Sequence, residues 1–218
     1  MLLVVFALSA EARVFLKRLG RRRKHETFFD GMLCGTRVGI CFVGIRARAI
    51  ADFEKAVERF EPTLVINSGF AGATRALLEP GDFLIASNYT TAHIELPVGS
   101  LVDAIGPFCS VEQISGSADK QRLGEFSMAV DMESKAIASV CERYQVPLIT
   151  ARMISDGRDE SIPTIFVSGK LRSARDAIEA GRFTLRMLRL TRLLADRLTE
   201  LIRAATANQC KPLAGPPN

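Results

Sequence analysis

Leu2-Leu3-Val4-Val5-Phe6-Ala7-Leu8-Ser9-Ala10-Glu11 is the stretch on which the fold turns. Seven apolar residues in a row, several of them β-branched, make a strand buried on both faces rather than one with a wet side. Ser9-Ala10-Glu11 can then start a helix that carries Val14, Phe15 and Leu19 inward at helical spacing, with Gly20 ending it. A short apolar run ending in small residues also imitates a signal peptide. No charged segment precedes it and its apolar core is short, so the expectation is a buried first strand.

Working outward, Arg21-Arg22-Arg23-Lys24-His25 is expected to be a solvated loop, with an anionic partner as the alternative. Phe28 to Val43 reads as a hairpin with turns near Gly31 and from Gly35 to Arg37, and Gly44-Ile45-Arg46 as a further turn. Ala47 to Phe60 is amphipathic, with Ile50, Phe53 and Val57 on one face, and Pro62 breaks it. Leu64 to Ile66 is a short buried strand running into Asn67-Ser68-Gly69-Phe70-Ala71-Gly72; Pro80-Gly81-Asp82 is a turn before a strand over Phe83 to Ala86. Asn88 to Ser127 is the least regular stretch, with room for short strands and a mobile loop. Met132 to Tyr144 reads as a helix with Ile137, Val140 and Cys141 inward, and Pro147 to Met153 as a buried strand ending in Ile154-Ser155-Asp156-Gly157. Leu171 to Ile202 is mostly helical, with Gly181 interrupting it, and the tail after Ala204 frays. Strands alternating with helices over short connections give an α/β sandwich with helices on both sheet faces, one domain over 1–204 and a tail over 205–218.

Composition narrows the class. The chain has 218 residues, 48% hydrophobic and 24% charged, which excludes a disordered chain and suits one globular domain. Five cysteines without a C-x-x-C pair exclude a disulfide scaffold and a zinc ribbon; they read as buried small hydrophobes in a reducing cytoplasm. A net charge of +5 does not by itself imply nucleic acid, and few aromatics accompany Arg21 to Lys24, so no nucleic-acid partner is expected. No apolar run approaches the length of a membrane helix. Two histidines, His25 and His93, give no metal-ligand spacing, so no metal is expected. There is no G-x-G-x-x-G or P-loop, which disfavours a dinucleotide or P-loop enzyme.

Ligands of such sheets bind beyond the carboxyl ends of strands. Four polar or glycine-rich segments fall there: Ser9 to Glu11, Asn67 to Gly72, Val130 to Ser134 and Ser155 to Gly157. Three bring a carboxylate, namely Glu11, Glu133 and Asp156.

Four motifs, in this order and each after an expected strand, resemble the nucleoside phosphorylase/nucleosidase superfamily. They are Ala7-Leu8-Ser9-Ala10-Glu11, Asn67-Ser68-Gly69-Phe70-Ala71-Gly72, Ala129-Val130-Asp131-Met132-Glu133-Ser134 and Ile154-Ser155-Asp156. The nearest likeness is to the 5'-methylthioadenosine/S-adenosylhomocysteine nucleosidase branch. The form Val130-Asp131-Met132-Glu133-Ser134 is also similar to that of futalosine hydrolases and of hopanoid-associated phosphorylases. Ala10 to Arg13 and an Arg-rich C-terminal helix lean towards the latter, a group implicated in removing adenine from adenosylhopane. The resemblance implies a three-layer sandwich, a central mixed β-sheet flanked by helices, without a cofactor, and a homo-oligomer in the cytoplasm.

It also implies roles. Cleaving an N-glycosidic bond needs a proton for the leaving base, a carboxylate near the cationic sugar and a nucleophile at the anomeric carbon. Asp156 would be the acid at purine N7, oriented by Ser155. Glu133 would hold the ribose hydroxyls, Met132 would pack on the sugar, and Phe70 and Ala71 would lie along ribose and base; Asp131 reads as a structural cap. Glu11 would orient water, which favours hydrolysis, since a carboxylate facing phosphate is repulsive. Phosphate stays open as a co-substrate because Arg46 and Arg48 follow Gly44 and could supply positive charge. On the C-terminal helix Arg182, Arg186 and Arg189 share one face and Phe183, Met187, Leu190, Leu194 and Leu198 another, which suits a last packing helix or peripheral membrane contact. The expected activity is cleavage of an adenine-type purine nucleoside with a modified 5' group, probed against a phosphate-dependent phosphorylase and a non-catalytic nucleoside-binding or membrane-docking module.

Overall fold

Leu2 to Phe6 does form a strand, β1, at the centre of a ten-stranded mixed sheet. In the computed structural model residues 1–93, 97–113, 116–163 and 174–209 are described. The elements run α1 (Ser9–Leu16), β2 (Gly20–Lys24), β3 (Phe28–Leu33), β4 (Thr36–Phe42), α2 (Ile50–Phe60), β5 (Leu64–Ala73), β6 (Phe83–Ala86), β7 (Ala104–Gly106), β8 (Phe108–Ser110), α3 (Ser117–Leu123), β9 (Ala129–Asp131), α4 (Ser134–Arg143), β10 (Leu148–Asp156) and α5 (Ala174–Gln209). The sheet order is β2-β3-β4-β1-β5-β10-β6-β7, with β9 joining β5 to β8. Strands β4, β1, β5 and β10 are parallel, the pairs β2–β3, β3–β4, β10–β6 and β5–β9 are antiparallel, and β6–β7 and β8–β9 are parallel.

The pleat of β1 sorts its side chains to two cores. Leu2, Val4 and Phe6 pack with Phe15 and Leu19 and with Leu190, Leu194, Leu198 and Leu201 of α5. Leu3 and Val5 pack with Phe53 and Val57 of α2 and Ile137 and Val140 of α4 on the opposite face. Alternate residues of one continuous apolar run therefore bury against different helix layers, as a parallel central strand requires. The three-layer sandwich expected from the sequence is what the chain forms.

Several local expectations are corrected. Arg21 to Lys24 lies in β2, an exposed edge strand rather than a loop. Pairing with β3 recruits it, and a row of long cations on an edge discourages further strands from adding there. Gly31 is interior to β3, where a Cβ would come 2.9 Å from the Gly20 carbonyl oxygen, so closeness rather than a turn requires it. The hairpin turn is at Cys34 and Gly35, both with positive φ. The glycine-rich Asn67 to Gly72 is not a loop: β5 continues through it to Ala73, paired with β10 from Val65↔Leu148 to Ala71↔Ile154. β10 likewise runs on to Asp156, with an irregularity after Ile154. α2 starts at Ile50, after a 3-10 turn over Ile45–Ala47. Gly181 does not interrupt α5, and the helix passes the expected fraying point after Ala204 to reach Gln209, with Ala205 buried. Cys41 and Cys141 are buried, but Cys34 is exposed and Cys109 half-buried. The expected helix start at Leu171, Cys210 and residues 211–218 lie outside the described residues.

Candidate active site

The two longest strands lie side by side and end at the same edge of the sheet, and the site is built there. Beyond them opens a cavity of about 570 Å³, in the range of small-molecule sites. Glu11, Phe70, Ala71, Met132, Ser155 and Asp156 all line it, whereas Glu133 is buried just behind Met132 and is not part of the lining. Four segments separated by up to 145 positions in the chain thus meet as the topology implied, 145 being 156 less 11.

Glu11 stands in the first turn of α1, where its Oε2 accepts the Leu8 backbone N–H at 3.0 Å. Burial pushes its carboxyl up to about 7 from 4.5, partly offset by backbone N–H groups of Leu8 and Phe70 and by the Arg152 guanidinium. A general base poised near neutrality suits proton removal from water. Beside it β5 carries Gly69 at φ +143°, where a Cβ would sit 2.8 Å from Arg152 Nη1 and 3.2 Å from each Glu11 carboxylate oxygen. Carboxylate and guanidinium therefore flank one small space that only glycine leaves open.

Glu133 follows β9 and precedes α4. It is buried, its Oε1 accepts the Arg46 backbone N–H at 2.9 Å, and its Oε2 lies 3.9 Å from Arg152 Nη2. Burial raises its pKa above the ordinary carboxylate value, against the lowering pull of Arg152. Asp131 is the structural cap expected: Oδ1 accepts the Ser134 N–H at 3.3 Å and Oδ2 accepts the Ser134 hydroxyl. Asn67 is likewise committed inside, its amide donating to Ser134 Oγ at 3.1 Å.

Arg152 is one residue that the sequence reading missed. It is 1% exposed; Nε donates to Asp131 Oδ2 at 2.9 Å and Nη1 to the Ser68 carbonyl at 2.5 Å. It holds Asp131 and partly neutralises Glu11 and Glu133. A signal was present, because an arginine between Ala151 and Met153 in a fully buried strand has to be paired.

At the other end of the cavity Asp156 is 2% exposed. Its Oδ1 accepts the Ser155 hydroxyl at 2.5 Å and its Oδ2 the ammonium of Lys120, a second buried cation that the sequence reading missed. Nothing local marked Lys120: it lies on a seven-residue helix in the stretch read as irregular. Gly72 makes the approach possible, since a Cβ there would be 3.1 Å from Lys120 Cε and 3.2 Å from Asp156 Oδ2. Gly69 and Gly72 are three residues apart on β5, so the two acidic ends are separated by about 10 Å of strand.

Arg46 contributes its backbone to the site. Its side chain is exposed and is not part of the cavity lining; the backbone, at φ +60°, does the work of holding Glu133. Arg48 is exposed as well. Away from the acids the cavity wall is mostly apolar, with Val14 from α1, Ile45, and Phe183, Met187 and Leu188 from α5, though Arg13 and Arg192 also line it. Among the described residues no cluster of His, Cys, Asp or Glu could hold a metal ion, and no helix is long and apolar enough to cross a membrane.

The family model of the phosphorylase superfamily matches residues 2–101 and 91–188. A 5'-methylthioadenosine/S-adenosylhomocysteine nucleosidase of Staphylococcus haemolyticus is 29% identical over 168 residues, covering 61% of this chain and 74% of its own. That of Staphylococcus epidermidis is 27% identical over 195 residues, 70% of this chain and 85% of its own. Among solved structures, the Neisseria meningitidis nucleosidase of the same name in complex with methylthio-immucillin-A superposes with a TM-score of 0.68 at 20% identity, covering 93% of this chain and 98% of that one. A futalosine hydrolase mutant of Helicobacter pylori gives 0.70 at 19% identity, covering 93% and 98%. At these identities the structural likeness speaks for the fold.

Proposed function

The chain belongs to the phosphorylase superfamily, and from that footing we propose that it cleaves the N-glycosidic bond of an adenine-type purine nucleoside with a modified 5' group, with water as the nucleophile. The observation that carries the reading is the meeting of Glu11 and Asp156 in one cavity, with Glu133 and Arg152 beside Glu11. The curated relatives named above point to the same chemistry.

The base sits towards Gly72, where Asp156, entering the step protonated on the oxygen that Ser155 orients, gives that proton to N7 as the C–N bond breaks and the pair of electrons leaves with the base. The sugar sits towards Gly69, with Met132 against it, Glu133 holding its hydroxyls, and Phe70 and Ala71 spanning ribose and base. Positive charge developing on the sugar is met by the carboxylates of Glu133 and Glu11. Glu11 takes a proton from water as its oxygen bonds to the anomeric carbon; Arg152 keeps the two carboxylates together. The apolar wall from Val14 to Leu188 takes the 5' substituent, and it favours a large apolar one, as on an adenosylhopane-type substrate. Incubation with adenosine, methylthioadenosine, adenosylhomocysteine and a 5'-alkyl adenosine, with and without phosphate, tests this. Free base without phosphate is expected, fastest from the 5'-alkyl compound. Base released only with phosphate would make it a phosphorylase; nucleoside binding without turnover would make it a binding module.

A second feature fits the same substrate. Ile178, Leu185 and Leu188 are exposed on α5, with Arg182 and Arg189 exposed at the same end, and Leu188 is also cavity wall. This face suits an anionic bilayer, its apolar side chains entering and its arginines meeting headgroups. Co-sedimentation with anionic but not zwitterionic vesicles, lost in Leu185→Glu, is the expected result.

A further inference from the structure

Two cationic side chains are found buried among the described residues, Arg152 and Lys120. Arg152 serves the sugar end. Lys120 comes from α3, outside all four motifs, and is 2% exposed. A buried ammonium is tolerated only when its donors are met, and here three donors find three acceptors: Asp156 Oδ2, the Gly157 carbonyl at 3.0 Å and the Glu160 carbonyl at 2.7 Å. Lys120 borders the cavity, but with its three donors so engaged no N–H is left over for a ligand. The lysine is committed to holding protein.

What it holds is the acid. Ser155 fixes one oxygen of the Asp156 carboxyl and Lys120 the other, so the plane of the group is set by two donors from different elements. The segment after β10 is fastened by the same ammonium. Glu160 accepts the Gly157 N–H at 3.1 Å and forms a two-pronged bridge to Arg186 of α5 at 2.6 and 3.0 Å. The charged groups facing Asp156 are therefore Lys120 from α3, and Glu160 and Arg186 in the shell behind it.

Resting on the proposed nucleoside cleavage, we propose that Lys120 is a positioning residue for departure of the base: it aims the Asp156 carboxyl and does not touch the substrate. A misplacement of about 1 Å in such a group costs on the order of 100-fold.

The test compares wild type, Lys120→Met, Asp156→Asn and the double variant on two substrates. One is the nucleoside that wild type cleaves, and the other is 4-nitrophenyl β-D-ribofuranoside, whose phenolate leaves without a proton. Lys120→Met is expected to lower kcat on the nucleoside about 100-fold with KM within about 3-fold, and to change the nitrophenyl rate by less than about 3-fold. Added to Asp156→Asn, it is expected to change the nucleoside rate by less than about 3-fold, because its effect runs through Asp156. If Lys120→Met does not fold, Lys120→Arg, which keeps the charge but not the tetrahedral fan of donors, takes its place with the same split between substrates. Equal losses on both substrates, or the same loss with and without Asp156, would reduce Lys120 to a structural lysine, and a wild-type kcat in Lys120→Met would remove it altogether. A wild type that releases no base from any nucleoside would instead overturn the underlying activity, and this role with it.

Discussion

Glu11→Gln removes one charge and keeps the shape of the side chain, and its consequences can be worked from the site. In the folded protein burial holds the Glu11 proton up to about 7, against 4.5 ordinarily. Ionising it there costs about 3 kcal/mol more than in water. The folded chain binds this proton more tightly than the unfolded chain, so the group's contribution to stability is full below pH 4.5 and is lost as pH rises through about 7. Glutamine has nothing to ionise. It offers one carbonyl oxygen where the carboxylate meets N–H groups of Leu8 and Phe70, a loss of about 1 kcal/mol at any pH. The variant is therefore expected to be about 1 kcal/mol less stable than wild type near pH 4 and about 2 kcal/mol more stable near pH 8. At roughly 2–4 °C per kcal/mol for a chain of this size, the melting curves cross between those pH values and separate by about 4–8 °C at the higher one. Scanning calorimetry or a thermal melt by circular dichroism reads this directly. Base release falls in parallel by about 100-fold or more, because the amide cannot take a proton from water. Wild-type activity is expected to rise with pH through about 7, and the residual activity of the variant is not. Melting curves that keep one separation at both pH values, or a variant with wild-type kcat, would refute the role assigned to this carboxyl.

Three further outcomes follow from the same geometry. Asp156→Asn is expected to lower kcat on nucleosides by about 100-fold or more while a nucleoside still binds, as isothermal titration would show. Arg152→Met leaves Asp131 buried without its guanidinium and is expected to destabilise the fold by about 3–5 kcal/mol, read from urea unfolding. Gly69→Ala places a Cβ against Arg152 at a strained φ and is expected to cost about 1–3 kcal/mol of stability and most of the activity, whereas Gly35→Ala, with open space around its Cβ, shows only the strain of its φ of +82°.

The legible parts of this chain were those in which local chemistry and tertiary role agree. Apolar runs such as Leu2 to Phe6 announced buried strands, and Phe53 and Val57, or Ile137 and Val140, announced the faces of two helices. The misreadings came where tertiary pairing overrode composition. Asn67 to Gly72 looks like a loop, yet its backbone pairs along β10 and its glycines serve close approach to Arg152, Glu11 and Lys120. Arg21 to Lys24 looks solvated, and is, but as an edge strand. Gly181 sits on an exposed face of a 36-residue helix whose later turns are fixed by Leu190, Leu194 and Leu198, so one weak residue does not break it. The carboxylates of the site were readable because they stand in motifs. Lys120 was not, because what defines it is the set of three acceptors that the fold brings to it from Asp156, Gly157 and Glu160.

The sugar product decides the central chemistry. With the preferred nucleoside, in buffer containing millimolar phosphate, mass spectrometry of the product is expected to show free base and the unphosphorylated pentose carrying the intact 5' substituent, at a rate that phosphate does not change. A pentose 1-phosphate in its place, formed only when phosphate is present, would contradict the assignment of Glu11 to water.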